Sequence, residues 1–356
     1  MLSAMPVHGG LVRSELDSLG ISPEDVLDLS VNVNPYGPCP EVRAAIAAAD
    51  LRAYPDPMAT PTRRALAAWQ GVSEARVIVG NGAVDLLWTL ARAWLRPGDV
   101  VLTVEPTFSE LAAASARAGA RVEPHRLVPA LDFALDVAEL DAALARLRPR
   151  LAYLCSPSNP VGRSTPPALI ATLADRHPDT LFVVDISFLS LSTEHAAAAW
   201  RSSERIVWLR SLTKDHGLAG LRIGCAIAPP VIVRQMEEAR PPWSVNALAQ
   251  AAAIAITEDV ADRFVASSRA RLLADVLGLQ AGLQRLGIRT HRSETIFVLV
   301  DLGTRRAAEL RRTLLRDHRI LIRDCTSFGL PHHARIAARP AFEVDRLLSA
   351  LTQVLA

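Results

Sequence analysis

Short, continuously apolar runs alternate with longer stretches of helical period, and that alternation constrains the fold more than any other feature of the chain. The runs Arg76–Val79, Val100–Val104, Leu151–Cys155, Leu181–Asp185, Ile206–Arg210 and Ile223–Ala228 have strand length and are rich in β-branched residues. Helical patterns near Ala83–Leu95, Ser109–Ala118, Val137–Leu147, Pro167–Arg176 and Val231–Arg240 lie between them. A strand that is apolar at every position needs cover on both faces, and helices between successive strands supply it. The pattern therefore predicts an α/β unit with a mostly parallel sheet. After about residue 245 the character changes. Asn246 to Leu286 reads as one long Ala-rich helical stretch. A strand (Ile296–Val300), a helix (Arg305–Asp317), two short strands (Ile320–Arg323 and Ala334–Ala338) and a last helix (Phe342–Leu355) follow, an α+β tail. The expected division is an arm over residues 1–45 that packs with the small domain, a large domain over 46–245 and a small C-terminal domain over 246–356.

Composition excludes several classes. Half the residues are hydrophobic and 21% charged, so the chain can bury a core and is not disordered. A net charge of +2 leaves no basic footprint for nucleic acid. No apolar run reaches the ~18 residues that suggest a membrane span. The start, Met1–Gly10, lacks a signal-peptide pattern. Cys39, Cys155, Cys225 and Cys325 stand far apart, without a CxxC pair. They read as reduced thiols of a cytoplasmic protein rather than a disulfide or zinc framework, and no metal is expected.

Of the 39 basic residues 38 are arginine, and the single lysine is Lys214. Where arginine replaces lysine wherever it will serve, a surviving lysine is a candidate for a task that needs a primary amine. It lies in Ser211-Leu-Thr-Lys214, directly after an expected strand, where it can form a Schiff base with the aldehyde cofactor pyridoxal phosphate. SxxK also occurs in serine acyl-transfer enzymes, but the SDN and KTG motifs expected after it there are missing. Other segments suit the same cofactor. Gly80-Asn-Gly82-Ala83 joins a strand to a helix and offers free N–H groups to a phosphate. Ser211 and Thr213 add hydroxyls and Arg222 a planar fork. Asp185 ends an apolar strand, where a carboxylate reaches the ligand crevice and can keep a pyridine nitrogen protonated. Asn159 could donate to the ring oxygen, Phe108 could stack on the ring, and Arg335 could hold a carboxylate. Singly, each also has a structural reading: a turn, a helix cap, a core aromatic, a surface ion pair.

Taken in chain order, the Gly-rich turn, aromatic, Asn, Asp, SxxK, Arg and tail Arg resemble the fold-type-I pyridoxal 5'-phosphate enzymes, in the class I/II aminotransferase superfamily. The resemblance implies a large domain with a seven-stranded, mostly parallel sheet and a smaller α+β C-terminal domain. Within the superfamily, His8-Gly-Gly10, Leu29-Ser-Val-Asn32-Val-Asn34-Pro35, Tyr54-Pro-Asp56, Pro242-Trp243-Ser-Val-Asn246 and Ile320-Leu-Ile-Arg323-Asp-Cys325 look like the threonine-phosphate decarboxylases of cobalamin biosynthesis. The next resemblance is to histidinol-phosphate aminotransferases. That family usually has tyrosine where this chain has Phe188. There are departures: Leu11 where the decarboxylases have Asn, Ile186 where both families usually have Glu, Cys225 where Tyr is usual, and Ser156-Pro-Ser-Asn159-Pro-Val-Gly162 where Asn-Asn-Pro-Thr-Gly is common.

The resemblance implies roles residue by residue. Lys214 and Asp185 are catalytic. Gly82, Ala83, Phe108, Asn159, Asp185, Ser211, Thr213, Lys214 and Arg222 bind the cofactor, with Tyr54 reaching its phosphate from a neighbouring subunit, hence a homodimer with shared sites. His8, Asn34, Arg323, Arg335 and Arg339 are the candidate substrate contacts. The expected reaction is decarboxylation of O-phospho-L-threonine to (R)-1-amino-2-propanol phosphate. The alternative is amino transfer from histidinol phosphate or a related donor to 2-oxoglutarate. The sequence alone favours decarboxylation because histidinol phosphate has no carboxylate, which would leave Arg335 buried and unpaired.

Overall fold

The computed structural model describes residues 8–195 and 203–355, so the first seven residues of the expected arm lie outside it. Seven strands form the central sheet: β1 Val77–Gly80, β2 Val100–Glu105, β3 Arg121–Arg126, β4 Leu151–Cys155, β5 Leu181–Asp185, β6 Ile206–Ser211 and β7 Gly224–Ile227. Their order is β1-β7-β6-β5-β4-β2-β3. All neighbours run parallel except β7, which is antiparallel to both β1 and β6. β4 and β5 are buried at every residue, as strands covered by helices on both faces must be. One face packs Ile78, Val101, Tyr153, Val183 and Leu209 against the helix Ala83–Trp94. The other packs Leu102, Leu154, Phe182 and Trp208 against Val137–Leu147 and Pro167–Arg176. β4, β5 and β6 end side by side at Cys155, Asp185 and Ser211, which sets three chemically active segments along one sheet edge.

The smaller C-terminal sheet has β8 Arg289–Thr290, β9 Phe297–Asp301, β10 Arg323–Asp324 and β11 His333–Ala337, in the antiparallel order β10-β11-β9-β8. Leu272, Leu279, Leu314 and Leu347, from the helices Asp259–Arg285, Ala307–His318 and Ala341–Leu355, form a core with Phe297 and Ile336. The N-terminal segment packs here too. Leu27–Asp28 pairs in parallel with Ile320–Leu321, and Leu16 and Ile21 meet Leu315 and Leu321.

Three features differ from the sequence expectation. The strand β3 is additional, because Arg121-Val-Glu-Pro-His-Arg126 is polar and contains a proline; it is an edge strand, where proline is tolerated. The expected long helix is two, Ala247–Ile256 and Asp259–Arg285, broken at Thr257–Glu258 without glycine or proline. The expected strand Ile320–Arg323 serves two sheets, Ile320–Leu321 in one and Arg323–Asp324 in the other. Among the described residues, no helix is long and apolar enough to cross a membrane.

Candidate active site

Lys214, Asp185, Asn159, Phe108, Ser211, Thr213, Arg222, Ala83, His8, Arg323 and Arg335 line a single cavity of about 270 Å³ at the carboxyl edge of the large sheet. Lys214 leaves the end of β6, and its carbonyl accepts the Asn34 N–H at 2.8 Å. Burial, then the positive charges of Arg335 and Arg222, pull its amine down to about 8, against the attraction of Asp185. At neutral pH such an amine gives up a proton far more readily than an exposed lysine.

Asp185 is buried, and burial pushes its carboxyl up. Hydrogen bonds oppose that. Ser187 N–H and Oγ–H donate to Oδ1 at 2.9 and 2.5 Å, and Tyr153 OH donates to Oδ2 at 3.3 Å. A cationic ring nitrogen beside this carboxylate would hold it ionised. Beneath it, the Cys155 thiol takes the Thr107 hydroxyl at 3.2 Å, and burial pushes it up to about 12, an inert side chain rather than a nucleophile.

The other wall is a cradle. Gly82 has φ +83°, a conformation that favours glycine, and a Cβ there would stand 2.5 Å from Arg222 Nη2. A Cβ on Gly224 of β7 would stand 2.7 Å from the Ala83 nitrogen, so the strand and the helix start touch backbone to backbone. Among the described residues no side chain caps the start of the helix Ala83–Trp94, and Ala83 and Val84 line the cavity. Ser211 Oγ and Thr213 Oγ1 lie 2.7 Å apart, both buried. An uncapped helix start, two hydroxyls and a guanidinium suit a phosphate dianion. Pyridoxal phosphate therefore fits these residues. The cradle would hold its phosphate, Asp185 its ring nitrogen, Asn159 its ring oxygen and Lys214 its aldehyde carbon.

Two buried arginines stand on the substrate side. Arg335 donates to Asn159 Oδ1 and, at 2.5 Å, to the Ser30 carbonyl; burial pulls it down to about 10, so it remains a cation at neutral pH. Arg323 donates to Ser327 Oγ at 2.7 Å. His8 tilts against Phe108 with ring centroids 5.3 Å apart, and its Nε2 meets Glu110 Oε1 at 2.5 Å.

Three expected contacts lie elsewhere. Arg339 is outside the cavity lining, donating to the carbonyls of Asp28 (2.7 Å) and Ala338 (2.9 Å). Asn34 is buried beneath the Lys214 loop, its amide on the Asp215 carbonyl at 2.9 Å. Tyr54 is 83% exposed, its ring tilted 35° against Trp243 with centroids 5.1 Å apart, and it is outside the lining of this chain's own cavity.

Tyr153, Ser187, Glu110 and Asn32 are among the residues at the site that the sequence reading does not assign to it. Ser187, two residues after Asp185, is within reach of an Asx-turn argument. Glu110 is not, since its partners His8 and Trp88 come from other elements. Asn32 lines the cavity with both side-chain polar atoms buried and without a partner among the described residues, which leaves them open to a ligand.

Known proteins share this architecture. Residues 24–351 match the family described as aminotransferase class I and II. A histidinol-phosphate aminotransferase of Symbiobacterium thermophilum is 35% identical over 354 residues, 98% of this chain and 95% of that one. The crystal structure of histidinol-phosphate aminotransferase from Sinorhizobium meliloti, in complex with pyridoxal-5'-phosphate, superposes with a TM-score of 0.87 at 26% identity, covering 99% of this chain and 95% of that chain. L-threonine-O-3-phosphate decarboxylase from Porphyromonas gingivalis gives a TM-score of 0.81 at 29% identity, covering 92% and 98%. With a lysine, an aspartate and a phosphate cradle converging on one cavity, this chain belongs to the class I and II aminotransferases, enzymes of the fold-type-I architecture whose cofactor is pyridoxal phosphate.

Proposed function

We propose that the chain transfers an amino group from a small phosphorylated amine of the histidinol-phosphate class to a 2-oxo acid. One observation carries this reading: the half-buried Lys214 shares its cavity with two buried guanidinium groups, Arg323 and Arg335. Such a transfer admits two anions in turn, a phosphate monoester with the amine and then the carboxylates of the acceptor, and bidentate arginines suit both. The names of the curated relatives support amino transfer. Arg335 does not demand a carboxylated substrate. Its guanidinium already donates from both terminal nitrogens, to Asn159 Oδ1 and the Ser30 carbonyl, so that only Nε lacks a partner among the described residues.

Bound pyridoxal phosphate supplies an aldehyde for amine exchange and a conjugated ring that takes up the electron pair released at the substrate Cα. The chain supplies the rest. Lys214 Nζ, with its pKa near 8, removes the Cα proton and returns one nearby. Asp185, held by Ser187 and Tyr153, would stand as a negative charge beside the ring nitrogen and keep it protonated. Arg335 and Arg323 set the tilt of the substrate and so which Cα bond is broken.

Decarboxylation of O-phospho-L-threonine is the second reading, favoured by Phe188. It lines the cavity edge-on to Phe297 at 5.1 Å, where the aminotransferases of this resemblance usually carry a tyrosine hydroxyl. A side-by-side assay separates the two. Conversion of histidinol phosphate that depends on 2-oxoglutarate, without carbon dioxide from phosphothreonine, is the expected result. Carbon dioxide release from phosphothreonine with no transfer from histidinol phosphate overturns the first reading and leaves the cofactor assignment intact.

A further inference from the structure

His291, Asp301 and His333 meet at the small sheet, where it packs on the segment around Phe133, outside the lining of the Lys214 cavity. Asp301 and His333 are paired across β9 and β11, and the His291 backbone N–H bonds the Leu299 carbonyl of β9 at 2.9 Å. The imidazoles stack with centroids 5.4 Å apart at 29°, and Phe133 stands edge-on to both. His291 is 1% exposed and His333 8%. His291 Nε2 and both ring nitrogens of His333 are buried without a hydrogen-bond partner among the described residues. Buried polar atoms are normally satisfied, so three orphaned nitrogens beside a carboxylate set this cluster apart from an ordinary packed core.

We propose that His291, Asp301 and His333 bind a divalent first-row transition cation, with Zn²⁺ the ion best matched to two imidazoles and one carboxylate and with water as fourth ligand. Oxygen-seeking Mg²⁺ and Ca²⁺ suit this donor set poorly. One ligand atom from each residue lies within 4.8 Å of the others. Ligands on a tetrahedral shell of ~2.1 Å stand roughly 3.4 Å apart, so binding draws the set inward by side-chain rotation.

The surroundings match a metal site. His291 Nδ1 lies 2.7 Å from Asp132 Oδ1, and donation there leaves the Nε2 lone pair for the ion, the usual carboxylate–histidine–metal relay. Asp132 Oδ2 accepts from Arg163 Nη1 at 2.9 Å, and Asp301 Oδ1 accepts from the Gly303 N–H at 2.9 Å. Arg289 lies 3.9 Å from Asp301 Oδ2, with its side chain 63% exposed, and can swing out to admit the ion. The bound ion would tie β9 and β11 to the Asp132 turn and, through Arg163, to the loop that carries Asn159.

The test uses the holoenzyme, freed of metal by a chelator and titrated with ZnCl₂ by calorimetry. One equivalent per chain should bind and raise Tm. Asp301→Asn and His333→Gln should each weaken binding at least tenfold, and Asp132→Asn about ten- to hundredfold. Turnover at ambient temperature should be unchanged in Asp132→Asn. Should a variant fail to fold, wild-type crystals soaked in Zn²⁺ answer the question, with an anomalous peak expected among the three side chains. No saturable binding, a peak at the cysteines or at His8 and Glu110, or affinity unchanged in the variants overturns the proposal.

Discussion

Lys214 is held in an environment hostile to its own charge. Burial and two arginines bring its amine from 10.5 to about 8, a shift that corresponds to about 3 kcal/mol against the folded, cofactor-free protein. The sign follows from proton linkage. Between pH 8 and 10.5 the unfolded chain holds this proton more tightly than the folded one, so the penalty is complete below pH 8 and fades as pH climbs to 10.5. Lys214→Met should therefore raise the Tm of the cofactor-free protein at pH 7, with a gain that shrinks at higher pH, while turnover falls by several orders of magnitude. A Tm no higher than wild type at pH 7, read by calorimetry, would count against a strained lysine. Asp185→Asn should keep the cofactor, through the phosphate cradle, yet lose most turnover because no carboxylate would keep the ring nitrogen protonated. Absorbance titration and steady-state rates check both halves. At this scale the sequence exposes groups whose chain neighbours share their task, such as Lys214 with Ser211 and Thr213. It hides Tyr153 and Glu110, because their roles depend on partners brought in by the fold: Asp185 from the next strand and His8 from the N-terminal segment.

The cradle depends on how closely β7 and the helix Ala83–Trp94 approach. Gly224→Ala places a methyl group 2.7 Å from the Ala83 nitrogen and 2.9 Å from the Gly82 carbonyl carbon, both backbone atoms that cannot turn aside. The change should lower the affinity for pyridoxal phosphate at least tenfold and lower Tm. Gly220→Ala, with nothing within 4 Å of the new methyl, should change neither. Equal behaviour of the two variants would show that close approach is not what shapes the phosphate site. The buried strands are legible in the sequence because a short run that is apolar at every position is stable in a sheet only where helices cover both faces. The strand β3 is not, since an edge strand exposes half its residues and carries the charges of a loop. The break at Thr257 leaves no mark in the sequence because the chain turns there without a glycine or proline. Thr257 closes the helix instead with its hydroxyl on the Ile254 carbonyl at 2.7 Å.

For the whole molecule, the two-part organisation follows from the change in periodicity after residue 245, while the path of the N-terminal segment does not. Leu27–Asp28 finds its partner at Ile320–Leu321, a pairing across nearly the whole chain that no local pattern announces. We infer that two copies share their active sites. Tyr54 and Trp243 lie ring against ring, tilted by 35°, with 83% and 47% exposure, a surface aromatic pair that a second subunit would cover. If Tyr54 serves the neighbouring cradle, Tyr54→Ala and Lys214→Ala, each nearly inactive, should recover activity when refolded together, because the mixed dimer contains one intact site. No recovery in a mixture shown to contain the mixed dimer would place Tyr54 outside the catalytic unit. The central claim, that Lys214 carries the cofactor, can be measured directly because 356 residues contain one lysine. Borohydride reduction of the holoenzyme, followed by mass spectrometry of the intact chain and its peptides, should show one cofactor per chain, all of it on Lys214. Cofactor fixed at any other position, or no fixation in protein that turns over substrate, would contradict it.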